Sequence, residues 1–235
     1  MAMIEARKLW RVYNDGQVQN EVLKGIDLSV APGEFVAIMG RSGAGKSTLL
    51  YQLSALDTPS AGKVVLDGQD LQALSATALN EFRLKTMGYV FQDYALIPDL
   101  SALENILTPL LMRGQDWDTA AESAREALRH VGLAGKEDNR PAELSGGEQQ
   151  RVSIARAIAG NPKILFADEP TANLDSRSGQ QVIEQLRALH HAGQTIVMVT
   201  HEAEYTKYCD RVVTLEDGMV IKITAPFQNG SVAQL

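Results

Sequence analysis

One cysteine, Cys209, is all that a chain of 235 residues contains. No intramolecular disulfide can therefore form, and no cysteine-based metal centre is available. A lone thiol of this kind reads as an ordinary buried side chain, and so little cysteine fits a reducing, intracellular compartment. Long apolar runs are also missing: stretches such as Thr195 to Thr200 fall far short of the ~20 residues that a membrane span needs. No positively charged, apolar, cleavable segment stands at the start, so the expectation is a chain that neither crosses a membrane nor carries a secretory leader. Basic residues are outnumbered, 22 against 29 acidic for a net charge of −7, and this balance argues against the basic face of a nucleic-acid binder. Internal repeats, heptads and low-complexity tracts are absent as well.

What the chain does have is a hydrophobic content of 45%, enough for one large α/β domain or a catalytic lobe with a smaller helical one. Residues 3 to 39 alternate short apolar runs with turn signals, clearest at Asn14-Asp15-Gly16 and Ala31-Pro32-Gly33-Glu34, which predicts antiparallel strands. They lead into Glu34 to Met39, a short buried strand, and then Gly40-Arg41-Ser42-Gly43-Ala44-Gly45-Lys46-Ser47. A loop of form G-x-x-x-x-G-K-[ST] turns successive backbone N–H groups around phosphates, with Lys46 as a point charge and Ser47 as a magnesium ligand. Ser47 to Leu53 reads as the opening of a helix, so strand, loop and helix N-terminus together concentrate partial positive charge on an anion.

Val64 to Gly68 reads as a further strand and turn. From Ser101 the pattern becomes helical: Leu103, Ile106, Leu107, Leu110 and Leu111 recur at helix spacing, and Thr119 to Val131 is Ala-rich and amphipathic. Lys163 to Ala167 and Gln194 to Thr200 are continuous apolar strands flanking a helix from about Arg177 to His191. That β, α, β alternation implies a parallel sheet covered on both faces. The last ten residues, with Pro226, Asn229 and Gly230, read as a loose tail.

Ligands of open parallel sheets sit at the C-terminal ends of the strands, and there stand Asp168 and Glu169. Asp168 is placed to hold magnesium, an ion that takes oxygen ligands and keeps part of its water shell. Glu169 can accept the proton of a water attacking the γ-phosphate. His201 follows the next strand, is expected at the same edge, and could reach that phosphate. His130, His190 and His191 have no such placement and read as helix-surface residues.

Leu144-Ser145-Gly146-Gly147-Glu148-Gln149 precedes an amphipathic segment from Glu148 to Ile158. A second helix N-terminus, with flexible backbone and a serine hydroxyl, is thus presented to an anion. Ser145 in that position is also an ordinary helix cap. Two phosphate sites in one chain pose a geometric question that a two-fold head-to-tail dimer answers: the Ser145 loop of one copy closes over the triphosphate held by Lys46 of the other.

With these residues in place, the chain resembles the ATP-binding cassette (ABC) ATPases over about residues 3 to 224. Gly40 to Thr48 is similar to the family's Walker A loop, Ile164 to Glu169 to Walker B and Leu144 to Gln149 to the signature sequence. Gln92 matches the Q-loop glutamine, Ala172 to Asp175 the D-loop and His201 the switch histidine. The resemblance implies a P-loop NTPase core with a parallel sheet (about 3–93 and 160–224), an N-terminal antiparallel β subdomain and a helical signature subdomain (about 94–159). It implies ATP and Mg2+ as cofactors, with Gly40, Arg41, Ser42, Gly43, Ala44, Gly45, Lys46, Ser47 and Thr48 around the phosphates. Ser47, Gln92 and Asp168 are the implied metal ligands, and Glu169, His201 and Lys46 the catalytic residues. Tyr13 would stack on adenine, with Trp10 as the competing aromatic, and Ser145, Gly146, Gly147 and Asp175 would complete the nucleotide site.

Ala55 to Gly62, the Leu103 to Leu111 helix and Glu148 look most like the lipoprotein-release and macrolide-export group, and the ATPase of the bacterial cell-division complex shares much of the pattern. A soluble non-transport ABC protein is a further alternative. The implied partners are a second copy of the chain and transmembrane permease subunits at the cytoplasmic face of the membrane, with no nucleic acid. Phe91, Tyr94, Leu96, Ile97, Pro98 and Leu100 fit either a groove for a partner helix or core between two lobes.

Overall fold

The computed structural model describes residues 1–14, 16 and 19–225. Asp15 of the predicted first turn and the predicted tail from Pro226 onward lie outside the described residues. Two units emerge, Met1–Ala73 with Thr195–Leu235, and Leu74–Gln194.

Strand β1 (Ile4–Asn14) of the first unit begins with Ile4 and Ala6 turned inward, and an ordinary alternation would next bury Lys8. Instead Lys8 takes φ 48 and the register slips between Ala6 and Leu9, a bulge that returns Leu9 to the core. Glycine is required opposite it: a Cβ on Gly62 (φ 83) would run into the Lys8 carbonyl oxygen. Around β1 pair β2 (Gln19–Val30) and β4 (Ala61–Leu66), both antiparallel, with the short β5 (Gln69–Asp70) at the edge. The expected N-terminal antiparallel sheet is therefore present.

Strand β3 (Phe35–Met39) is apolar throughout because it has parallel neighbours on both sides, β8 (Thr195–Val199) and β9 (Arg211–Glu216). The edge is β10 (Met219–Thr224), antiparallel to β9 across a turn in which Asp217 (φ 48) and Gly218 (φ 79) are both left-handed, as a two-residue hairpin with the strands' natural twist demands. Helix α1 (Lys46–Leu53) follows β3. Cys209 is buried, and desolvation pushes its thiol up to about 12, so it is the inert side chain expected.

The second unit pairs β6 (Met87–Val90) with β7 (Ile164–Asp168) in parallel and carries helices α2 (Ala76–Thr86), α3 (Ala102–Met112), α4 (Trp117–His130), α5 (Gly146–Ile158) and α6 (Ser176–His191). Helix α2 and β6 escape the sequence reading. Of the helix, Thr86 alone is fully buried, and without an apolar stripe there is no helical periodicity to detect. Helix α4 buries an alanine face, Ala120, Ala121, Ala124 and Ala127, against α3 and α5. His130 and His191 are exposed as expected, whereas His190 is half-buried. Among the described residues no helix is long and apolar enough to cross a membrane.

Buried Asn105 on α3 ties down the loop that follows β6. Its amide donates to the carbonyls of Ile97 (3.2 Å), Leu100 (3.1 Å) and Ser101 (3.0 Å), and its Oδ1 accepts from the Ile97 amide at 2.8 Å. Asn105→Ala removes the bonds to the Ile97 amide and the Leu100 carbonyl, while the Ile97 and Ser101 carbonyls keep backbone partners, and thermal denaturation will show a loss of about 2 to 3 kcal/mol. An unchanged melting temperature would mean that the loop is held by other contacts.

Candidate active site

Each unit contributes part of the expected constellation. In the first, β3 delivers the chain into the loop 40–45, where Gly43 (φ 80) and Gly45 (φ 96) are left-handed. A Cβ on Gly43 would meet nothing within 4 Å, so glycine is required there for its backbone conformation alone. At Gly45 space matters as well, for a Cβ would lie 2.9 Å from the Val22 carbonyl oxygen. The consequence appears at α1. Helices α2, α3, α4, α5 and α6 are each capped by a side chain, from Ser75, Ser101, Asp116, Ser145 and Asp175 respectively, whereas α1 starts from Gly45 with no side-chain cap. A helix start of that kind leaves its first N–H groups for an anion. Lys46, at the first helical position, is 8% exposed, and its Nζ donates to the Arg41 carbonyl at 3.3 Å.

His201 follows β8, and the pairing of Ile38 with Val199 brings its end of the strand beside the loop. His201, Gly40, Arg41 and Ser42 line one open groove of about 530 Å3, with Glu216 and Ile221 on its far wall. At the end of β1, Tyr13 is 40% exposed, with its hydroxyl donating to Asp57 Oδ2 at 3.0 Å. Trp10, the other aromatic candidate, packs its indole against Gly25, so that even a Cβ there would lie 3.2 Å from Nε1. Of the two rings, that of Tyr13 is the more exposed.

In the second unit β6 and β7 run parallel, with Val90 opposite Ala167, so the residues that follow them, Gln92 and the pair Asp168–Glu169, leave the same edge. Asp168 is 3% exposed. Glu169 holds φ 42, a left-handed backbone uncommon in a non-glycine residue and typical of functional turns. Asn173, which the sequence places in the D-loop match without a role of its own, joins this edge to the next loop: its amide donates to the Gln92 carbonyl (3.1 Å) and to Asp93 Oδ1 (3.2 Å). The Tyr94 hydroxyl donates to the Asn173 carbonyl at 3.4 Å, and a Cβ on Gly146 would stand 3.0 Å from that hydroxyl. Gln92, Asn173 and the start of α5 are thereby brought together. Arg156 of α5 closes the set by donating to the carbonyls of Tyr94 (2.9 Å) and Ala95 (2.5 Å). Both of those residues have positive φ, which no composition signal announces.

Ser145 is the N-cap of α5 and sits in a reciprocal capping box. Its Oγ accepts from the Glu148 amide at 3.3 Å and donates to Glu148 Oε2 at 2.9 Å. The Ser145 backbone N–H and hydroxyl, with Lys136 beside them, hold the Glu148 carboxyl below its usual range. Gly147 is glycine because a Cβ would press on Ser178 Oγ at 2.8 Å. Asp175 caps α6, accepting from the amides of Arg177 and Ser178 and from the Ser178 hydroxyl, and these bonds lower its pKa. After Gln92, Ile97 and Pro98 are exposed, while before it Phe91 lies against Tyr89 in a tilted ring pair with centroids 4.3 Å apart.

A family model described as ABC transporter matches residues 23–172. The chain is 47% identical over 221 residues to the lipoprotein-releasing system ATP-binding protein LolD of Geobacter metallireducens, covering 94% of this chain and 98% of that protein. It is 43% identical over 231 residues to the macrolide export ATP-binding/permease protein MacB of Mannheimia succiniciproducens, covering 97% of this chain and 36% of that longer protein. Among solved structures, a dimeric post-hydrolysis ATP-binding cassette bound to ADP and Pi matches with a TM-score of 0.89 at 37% identity, covering 95% of this chain and 98% of the other. An uncapped glycine-led helix, a serine-capped signature helix and these relatives lead to one conclusion: the chain belongs to the ABC transporter family and is one of its ATP-binding, ATP-hydrolysing cassettes.

Proposed function

We propose that this chain is the ATPase subunit of an ABC transporter of the lipoprotein-release or macrolide-export type. The observation that carries the reading is the start of α1, uncapped at Gly45 with Lys46 buried at its first position, in a chain matched over 94% of its length by LolD. We assign it one cassette domain, with a catalytic lobe at about 3–93 and 160–224 and a helical lobe at about 94–159.

The roles follow residue by residue. Tyr13 stacks on adenine. Backbone N–H groups from Gly40 to Gly45 surround the phosphates, with the hydroxyls of Ser47 and Thr48 and the charge of Lys46 completing the cradle. Among the described residues no group of three or more His, Cys, Asp or Glu is placed to hold a metal. Magnesium is commonly bound through one or two protein oxygens and the substrate's phosphates. Ser47, Gln92 and Asp168 offer only oxygen donors of this hard type. Bound there, magnesium would neutralise charge developing on the phosphates.

Glu169 takes the proton of a water whose oxygen attacks the γ-phosphorus while the bond to ADP breaks. His201 steadies the γ-phosphate from the groove beside the loop. Ser145, Gly146, Gly147 and Asp175 serve the nucleotide of a second copy, so two chains close head to tail around two ATP molecules and separate after hydrolysis. The dimeric state of the matched cassette supports this arrangement. Motion passes to membrane-spanning permease subunits, a reading supported by the ATP-binding/permease name of MacB, and the chain works at the cytoplasmic face of that membrane.

Glu169→Gln should retain ATP binding and lose at least ~100-fold in turnover, accumulating an ATP-bound dimer visible by size-exclusion chromatography. Near-normal turnover would remove Glu169 from the role of base. Lys46→Ala should weaken ATP binding by about tenfold or more in calorimetry, since a charge-assisted phosphate contact is lost; unchanged affinity would overturn the phosphate-loop assignment. Adding Ser145→Ala to the Glu169→Gln variant should raise the ATP concentration needed for dimer formation without altering ATP affinity of the single chain. A dimer indifferent to Ser145 would sink the shared pocket.

A further inference from the structure

Asp57 stands between the two ends of the proposed nucleotide site, within the first unit. Its Oδ1 accepts from Arg11 Nη2 at 2.8 Å and from the Thr58 amide at 2.7 Å, and its Oδ2 accepts from the Tyr13 hydroxyl at 3.0 Å and Gln52 Nε2 at 2.8 Å. Arg11 and Tyr13 belong to β1, whereas Gln52 belongs to α1, the helix that begins at Lys46. Gln52 is 1% exposed and cannot wander, so the carboxylate is fixed to the phosphate-loop helix on one side and to the tyrosine on the other.

Arg11 does more than pair with Asp57. Its guanidinium lies over the Tyr13 ring, 4.3 Å from the centroid, a cation–π contact that covers one face of the ring. The other face is what remains for a ligand. Two backbone links reinforce the arrangement: the Ser60 amide donates to the Trp10 carbonyl at 2.8 Å, and the Val12 amide donates to Ser60 Oγ at 3.0 Å. With the side chains of Arg11 and Asp57 only 21% and 24% exposed, their charge-assisted bonds are partly shielded from water.

We propose that Asp57 is the positioning residue for the base-binding end of the site, holding the Tyr13 ring at a set distance from Lys46 through Gln52 and α1. This rests on the reading of Tyr13 as the adenine platform. An exposed tyrosine at a strand end would otherwise have to be ordered by the incoming nucleotide, at a cost to affinity. Pinned in advance, it meets a purine already aligned with its phosphates. Because the hydroxyl is committed to Asp57, the ring recognises the flat face of the base and does not read its edge.

The test measures binding of ATP and of tripolyphosphate, which lacks the base, to the full chain by calorimetry, using Tyr13→Ala, Asp57→Ala and the double variant. Both single variants should bind ATP about five- to tenfold more weakly and tripolyphosphate unchanged, and the double variant should be no worse than Tyr13→Ala. If Tyr13→Ala binds ATP normally, the platform reading itself fails. If Tyr13→Ala weakens ATP binding and Asp57→Ala does not, the platform stands and the role of Asp57 is overturned. Equal loss of ATP and tripolyphosphate in Asp57→Ala would also overturn it, by locating the effect at the phosphate loop. Should Asp57→Ala lose its folded melting transition, Asp57→Asn, which keeps a hydrogen-bonding side chain of the same size without the charge, decides by the same selectivity between the two ligands.

Discussion

The first N–H groups of any α-helix lack an acceptor within the helix, and what fills that need separates α1 from the other helices of this chain. Five helices accept a serine or aspartate side chain; α1 accepts none, because its N-cap is a left-handed glycine. A capped start is locally content. An uncapped one, with a buried lysine at its first turn, is stable chiefly when an anion completes it. Chain entry from β3, Gly45 against the Val22 carbonyl, and His201 in the groove beside Arg41 and Ser42 all stand at that terminus.

The signature helix solves the same problem in the opposite way. Ser145 caps α5 and is itself held by Glu148, whose carboxylate takes both the backbone N–H and the hydroxyl of the serine. This terminus therefore already holds an anion of its own, the Glu148 carboxylate. Around it, Gly146 and Gly147 bring the backbone close to Tyr94 and Ser178, and Arg156 fixes the left-handed Tyr94–Ala95 turn from the same helix. The start of α5, the segment after Gln92 and the loop through Asn173 therefore share a set of hydrogen bonds, and displacement of one loads the others.

Much of this was legible in the linear chain wherever a residue's role is local. The glycines at 43 and 45 are required by backbone conformation, the apolar runs of β3, β7 and β8 by burial on both faces, and the serine at 145 by capping. Asn105, Asn173, Arg156 and Asp57 were not legible. Each is a polar residue whose partners lie on other segments or are backbone carbonyls that every residue possesses, so nothing in spacing or composition marks them. Helix α2 was missed for a related reason: with a single fully buried residue it has no apolar stripe to betray its period.

By itself the sequence determined the chemistry on offer: a phosphate-cradling loop with its lysine, a carboxylate pair after a buried strand, and a second serine-led helix start, because conformation at glycine, burial of apolar strands and capping are decided within a few residues. Only the tertiary structure decided which of those groups are held still. It packed the Trp10 indole against Gly25 and left the Tyr13 ring exposed. It also made Asp57 a link between strand and helix, and joined Gln92 to Asn173. Hydrogen bonds between segments distant along the chain depend on how the backbone returns on itself, and that return is a property of the packed core as a whole.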